Sequence, residues 1–229
     1  MAQIKKHGAR LADRDAQADD REASAHWLAE NGGDEAIRAM FRRFELQLEH
    51  SLKDQKEKDK VLELLVEQGA RAVPPAVEFA RSHPSFQWPL KLVDRVQGSR
   101  AGTEFLLALL AAERVEEEFK IEKKRNLLTN LADRAHPEVV GAVARFLADY
   151  DEGVRNAAIE ALAHQEGESA RAPLAAALCD PREESTRIRG RLAEIFAHRR
   201  WPIEDESGWL ARNMPHGYRY QDGRIIASR

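Results

Sequence analysis

The chain has 229 residues, 43% of them hydrophobic and 33% charged, with 36 Lys and Arg set against 39 Asp and Glu. A net charge of −3 argues against a general polyanion binder and leaves room only for a local basic face. The N-terminal stretch holds no apolar signal core, and no run approaches the ~18 apolar residues of a membrane span, so the expectation is a soluble, cytoplasmic protein. The single cysteine, Cys179, lies in the apolar run LAAALC and reads as a small buried hydrophobe. Ala, Leu, Glu and Arg abound while β-branched residues are sparse, which predicts an all-α protein.

In chain order, residues 2–14 form a charged, weakly periodic first helix. Asp20 is placed to cap REASAHWLAEN, which Gly32 and Gly33 end. Asp34 is placed to cap DEAIRAMFRRFELQL, with Ile37, Met40, Phe41, Phe44 and Leu48 inward. The charge run HSLKDQKEKDK reads as a longer solvated loop into the helix VLELLVEQ, stopped by Gly69. A helix over 72–82 carries Pro74 and Pro75 in its first turn, His83-Pro84 breaks the chain, and Trp88-Pro89 opens LKLVDRVQ. GTEFLLALLAAER begins after Gly102, and a long acidic-basic helix, EEEFKIEKKRNLLTNLADR, follows.

The most regular stretch is His136 to Gly167. Val139, Val143, Phe146 and Leu147 share one helical face, with Pro137 in the first turn. Asp149-Tyr150-Asp151-Glu152-Gly153 breaks that pattern, and a second helix carries Val154, Ala158, Ala161 and Leu162 on one face. Neither helix can bury its stripe alone, so the pair must be one link in an array. ESARAPLAAALCD follows, and then a helix started by Pro181 has Ile188, Leu192, Ile195 and Phe196 inward. After Trp201-Pro202 one short helix is expected around Trp209 and Leu210, and YRYQDGRIIAS is a hairpin turning on Asp222-Gly223.

The last large apolar residue of the second helix recurs as Leu28, Leu65, Val96, Leu131, Leu162 and Phe196, at separations of 37, 31, 35, 31 and 34 residues. A period in the low thirties marks a solenoid of helical hairpins. The fold predicted is therefore a right-handed α-solenoid of about six hairpins over 1–202, with a short helix and β-hairpin over 203–229 as its cap.

The proline-started HPEVVGAVARFL, the acidic-glycine turn, Val154-Arg155 followed by NAAIEALAHQ, and Ile188-Arg189 with GRLAEIF resemble the HEAT-repeat superfamily. The form is that of short bacterial HEAT-like, or phycobilin-lyase-type, repeats and of bacterial HEAT-repeat proteins with a WPL segment and a GY…DG tail. The likeness spans roughly residues 1–200, is looser around Leu28 and Leu65, and departs at Trp88-Pro89. It implies stacked helical hairpins, and a function among scaffolds and adaptors more than enzymes.

Seven residues before each marker stand Arg21, Lys58, Pro89, Lys124, Arg155 and Arg189. Five of the six are basic and fall in a row along the second helices, expected on the concave face. The row is either a structural ladder, with Asp20, Glu57, Asp151 and Glu184 as nearby partners, or a cationic groove for an acidic peptide or nucleic-acid backbone. Trp27 and Trp88 read as core, while Trp201 and Trp209 are either packed on the hairpin or exposed as aromatic anchors for a partner. The eight histidines form no HExxH, and no cysteine-rich spacing, phosphate loop or G-x-S-x-G occurs, so no metal, cofactor or catalytic residue is expected. The function predicted is a monomeric, non-enzymatic scaffold or adaptor whose concave face binds a protein or peptide segment. The alternative is a DNA-binding or alkylpurine DNA glycosylase-like repair protein using the basic row, which the negative net charge disfavours.

Overall fold

The structure, a computed structural model, describes residues 1–31, 33–117, 120–205 and 208–228. It falls into two compact units, Met1–Phe105 and Leu106–Arg229. The first contains α1 (Ala2–Leu11), α2 (Ala18–Asn31), α3 (Asp34–Met40), α4 (Ser51–Glu67), α5 (Val73–Ser82) and α6 (Gln87–Gln97). Helix α7 (Ser99–Ala111) carries the chain into the second unit. There follow α8 (Ile121–Ala132), α9 (Val139–Ala144), α10 (Glu152–His164), α11 (Arg171–Leu178), α12 (Thr186–Arg199) and α13 (Trp209–Asn213). Strands β1 (Tyr218–Gln221) and β2 (Arg224–Ala227) form an antiparallel hairpin.

Successive helices pair as neighbours: α1 with α2, α3 with α4, α5 with α6, α9 with α10, and α11 with α12. The second helices also lie against each other, α4 touching α2 and α6 in the first unit and α10 touching α8 and α12 in the second. This stacking of hairpin on hairpin is the α-solenoid arrangement, in which each repeat completes its neighbour's core. The marker residues Leu28, Leu65, Leu131, Leu162 and Phe196 are fully buried, and Val96 is half-buried against the first unit's core. Val154, Ala158, Ala161 and Leu162 all face inward on α10.

Several local expectations are corrected. The charge run 50–60 is no loop, because α4 begins at Ser51. Asp54 and Lys58 lie one turn apart on that helix and pair at 2.6 Å, and Arg43 reaches Asp54 at 2.7 Å, so the charges face a buried network instead of water. Helix α2 starts at Ala18, leaving Asp20 inside its first turn, and Asp34 follows Gly33, the residue at the cap of α3. The helix expected over 34–48 stops at Met40 and tightens into a 3-10 turn over Phe41–Glu45. Leu48 is only half-buried as a result, and Leu46 takes a core place. Helix α7 starts at Ser99, ahead of the expected Gly102. Lys120, at φ 67, turns the chain out of helix, so α8 is shorter than the charged pattern suggests. Pro181 starts no helix; Ser185 caps α12, its hydroxyl accepting the Ile188 N–H at 3.2 Å. Gly32, Glu118 and Phe119, which fall in expected helix ends, lie outside the described residues.

The terminal hairpin follows its sequence closely. Asp222 and Gly223 both adopt positive φ, 51 and 74, as a two-residue turn matching the strand twist requires. A lone hairpin is marginal, and this one is held from outside. β2 packs on α12, Arg224 bridges Pro202, the Ile203 N–H donates to the Gly223 carbonyl, and the Tyr220 hydroxyl donates to the Ile203 carbonyl.

Candidate functional site

Each cation of the repeat-phased row has an internal partner. In the first unit, Arg21 is buried and forms a two-pronged pair with Glu57 at 2.8 and 2.9 Å, while also donating to the carbonyls of Asp13 and Ala16. Lys58 is buried against Asp54 and Gln47. In the second unit, Lys124 is fully buried, 2.7 Å from Asp149, and donates to the carbonyls of Arg114 and Glu117. Arg155 forks onto Glu183 at 2.7 and 3.1 Å and onto the carbonyls of Asp149 and Tyr150. Arg189 donates to the carbonyls of Glu183 and Asp180, and its guanidinium lies 4.5 Å from the Trp209 ring centre.

This is the geometry of a ladder. A cation held by acceptors inside the fold has much of its bonding capacity engaged, and withdrawing Arg21, Lys58, Lys124 or Arg155 for a ligand would leave its carboxylate uncompensated. Of the partners expected from sequence, only Glu57 holds one of these cations. Asp20 lies near Arg10, Asp151 caps α10 by accepting the Val154 N–H at 2.9 Å, and Glu184 is exposed. The partners missed were Asp54, Asp149 and Glu183, together with the fully buried Arg43, which bridges Asp54 and Glu57. The four-residue spacing of Asp54 and Lys58 was the one local signal available. Burial alone would raise the Asp54 carboxyl, but its hydrogen bonds from Lys58 and Arg43 outweigh this and hold it below the usual carboxylate range; Glu57 is held down likewise by Arg21 and Arg43.

More exposed pairs tie α4 to α2, α6 to α4 and α12 to α10: Lys60 to Glu22, Arg95 to Glu63, and Arg187 to Glu152 with Arg191 to Glu160. Hydrogen bonds to Glu160, and then Glu194, raise the Arg191 pKa against the burial that lowers it. The two expected aromatic anchors separate. Trp201 is 6% exposed and meets Phe196 edge-on at 5.7 Å, so it is core, whereas Trp209 is half-buried under Arg189. Trp88 stacks on Phe44 at 5.2 Å and Trp27 on His7 at 4.3 Å, both as packing. Burial pushes the half-buried Cys179 thiol up. Among the described residues no group of three or more His, Cys, Asp or Glu is placed to hold a metal ion, and no helix is long and apolar enough to cross a membrane.

The family model for HEAT repeats matches residues 103–193, from α7 into α12. That stretch of the chain carries HEAT repeats. The match covers the hairpins that contain Lys124, Arg155 and Arg189, so the ladder of the second unit lies within HEAT repeats. No curated protein and no solved structure matches the chain.

One groove of the second unit, of about 590 Å³, lies where the turn before α10 meets the turn before α12. Leu147, Ile159, Ala177 and Ile188 supply its apolar lining, and Glu152 and Glu184 line it with carboxylate. Such a volume accommodates one or two large side chains of a ligand. Arg155 borders it but is held by Glu183. Of the row, Arg155 alone lines the groove, whose charged lining mixes carboxylates with Arg155 and Arg182.

Proposed function

We propose that this protein is a non-enzymatic scaffold or adaptor that binds a segment of a partner protein, acting as a monomer in the bacterial cytoplasm. The observation that carries the reading is the commitment of all five repeat-phased cations to internal carboxylates and carbonyls. A cationic channel for nucleic acid needs those groups free, since phosphate binding draws on solvated Lys and Arg. Stacked helical hairpins carry a long, rigid surface, and HEAT repeats commonly serve protein interactions. The DNA-repair alternative loses its main support with the row. The domain division proposed is a repeat array over 1–202 closed by the 203–229 segment, whose hairpin covers α12.

The test is affinity capture with the intact chain as bait from its native cells, followed by chemical cross-linking to map the contact. A partner protein whose cross-links fall on the repeats supports the scaffold. Retention of duplex DNA in place of protein, or release of alkylated bases from DNA, overturns it.

A further inference from the structure

We propose that the cleft between the end of α12 and β2 binds a phosphate monoester carried on a side chain of the partner segment. This rests on the scaffold reading and names the partner's chemistry at one site.

The cleft, of about 540 Å³, lies wholly within the second unit. Its charged lining is Glu194 on α12, Arg200 at the end of that helix and Arg224 on β2. Glu194 is already held by Arg191 at 2.8 Å. Arg200 and Arg224 are exposed, and neither side chain has a hydrogen bond or ion pair among the described residues. In this they differ from Arg155, Arg187, Arg189, Arg191 and Arg199, each of which holds a carboxylate or a carbonyl. His198 and Tyr218 also line the cleft, and their side chains have no partner among the described residues. Of the described carboxylates in 203–229, Glu204, Asp205 and Asp222, none lines it. The lining thus sets two unpaired guanidinium groups against one carboxylate that is already engaged.

Charge selects the occupant. A carboxylate neutralises one guanidinium. A phosphate monoester carries about −1.5 to −2 near neutral pH and three acceptor oxygens, so it answers both and takes more of their N–H donors. The half-buried Ala197 and Ile226 give the chain that bears the phosphate an apolar wall.

The backbone supports the same assignment. Arg200 closes α12 at φ 53, in the left-handed region where glycine is the ordinary residue. The helix end itself gives no reason for arginine there, since Arg199 and His198 already place cations in the last turn.

The experiment uses the full chain and fluorescein-labelled nonapeptides of alanine and glycine with phosphoserine, glutamate or serine at the centre, read by fluorescence anisotropy at ~150 mM salt. The phosphoserine peptide binds and inorganic phosphate displaces it. The glutamate peptide binds about tenfold or more weakly, and the serine peptide does not bind. Arg224→Gln and Arg200→Gly each weaken the phosphoserine peptide by about tenfold or more, the scale of losing a well-placed charge contact. Arg200→Gly keeps or raises the denaturation midpoint, because glycine adopts φ 53 freely, so its loss of binding is not a loss of fold. Arg81→Gln, which removes an exposed cation of the first unit with no partner among the described residues, leaves binding within about twofold and separates docking from general attraction. The proposal is overturned if wild type ignores the phosphoserine peptide, if the glutamate peptide binds as tightly, if Arg200→Gly or Arg224→Gln leaves binding unchanged, or if Arg81→Gln costs as much as either. It is overturned too if a fluorescein-labelled oligothymidylate binds more tightly and is lost in the same variants, which makes the occupant a nucleic acid. A native partner still captured by the Arg200→Gly, Arg224→Gln variant removes the cleft from the account while leaving the scaffold standing.

Discussion

Lys124 and Asp149 show how a single buried charge fixes a repeat. Both side chains are almost wholly buried, and Asp149 also accepts the Asp151 N–H, so the pair locks the turn that leads into α10. Removing one partner leaves an uncompensated charge in the interior. Lys124→Met is therefore expected to cost ~3–5 kcal/mol in chemical denaturation, and adding Asp149→Asn should restore part of the loss. A Lys124→Met protein as stable as wild type would mean that the pair is solvated. Leu162 makes the apolar counterpart: fully buried at the end of α10, its change to Ala is expected to cost ~2–5 kcal/mol by the same measurement.

At the scale of elements, α4 is the informative case. Seven of its first ten residues are charged, yet it is helix because Asp54 and Lys58 turn inward to meet Arg43 and Gln47. Lys56 lies on the exposed side of that half. Lys56→Pro is expected to cost ~3 kcal/mol, as proline does in a helix interior, whereas a solvated loop would absorb it with little change in the denaturation midpoint. Helix α10 offers a smaller test. Asp151→Ala removes the side-chain cap on the Val154 N–H and is expected to cost ~1 kcal/mol, with faster amide exchange confined to the first turn of α10.

Across the molecule, the ladder sets how stability responds to pH and how the protein meets nucleic acid. The folded-state pKa values of Asp54 and Glu57 lie below their ordinary 3.8 and 4.5. Their contribution is present in full above those ordinary values and is lost as the pH falls through the lower folded-state ones. Thermal stability of the first unit should therefore hold from neutral pH down to the ordinary carboxylate range and fall below it. An Asp54→Asn, Glu57→Gln variant should show a flatter acid limb, and an unchanged limb would place the acid sensitivity elsewhere. With its repeat-phased cations spent internally, the chain is expected to give no electrophoretic shift of duplex DNA near ~150 mM salt. Five phosphate contacts would instead show as a log–log salt slope of about −4.5.

The sequence by itself determined whatever depends on neighbours within a turn or two. The 3.6-residue stripes of Val154, Ala158 and Leu162 and of Ile188, Leu192 and Ile195 specified amphipathic helices, their recurrence specified an array, and Asp222-Gly223 specified the hairpin. The basic row was legible as a phased pattern, but its role was not. Lys124 meets Asp149 across 25 residues, Arg155 meets Glu183 across 28 and Arg21 meets Glu57 across 36, and nothing local marks one carboxylate rather than its neighbour as the partner. The same limit hid α4, whose charges look solvated until Arg43 is packed over them. It also hid the groove, whose two walls come from turns of successive repeats. Only the tertiary structure decided these points, because the energy of a buried charge is set by groups that the fold brings to it from the next repeat.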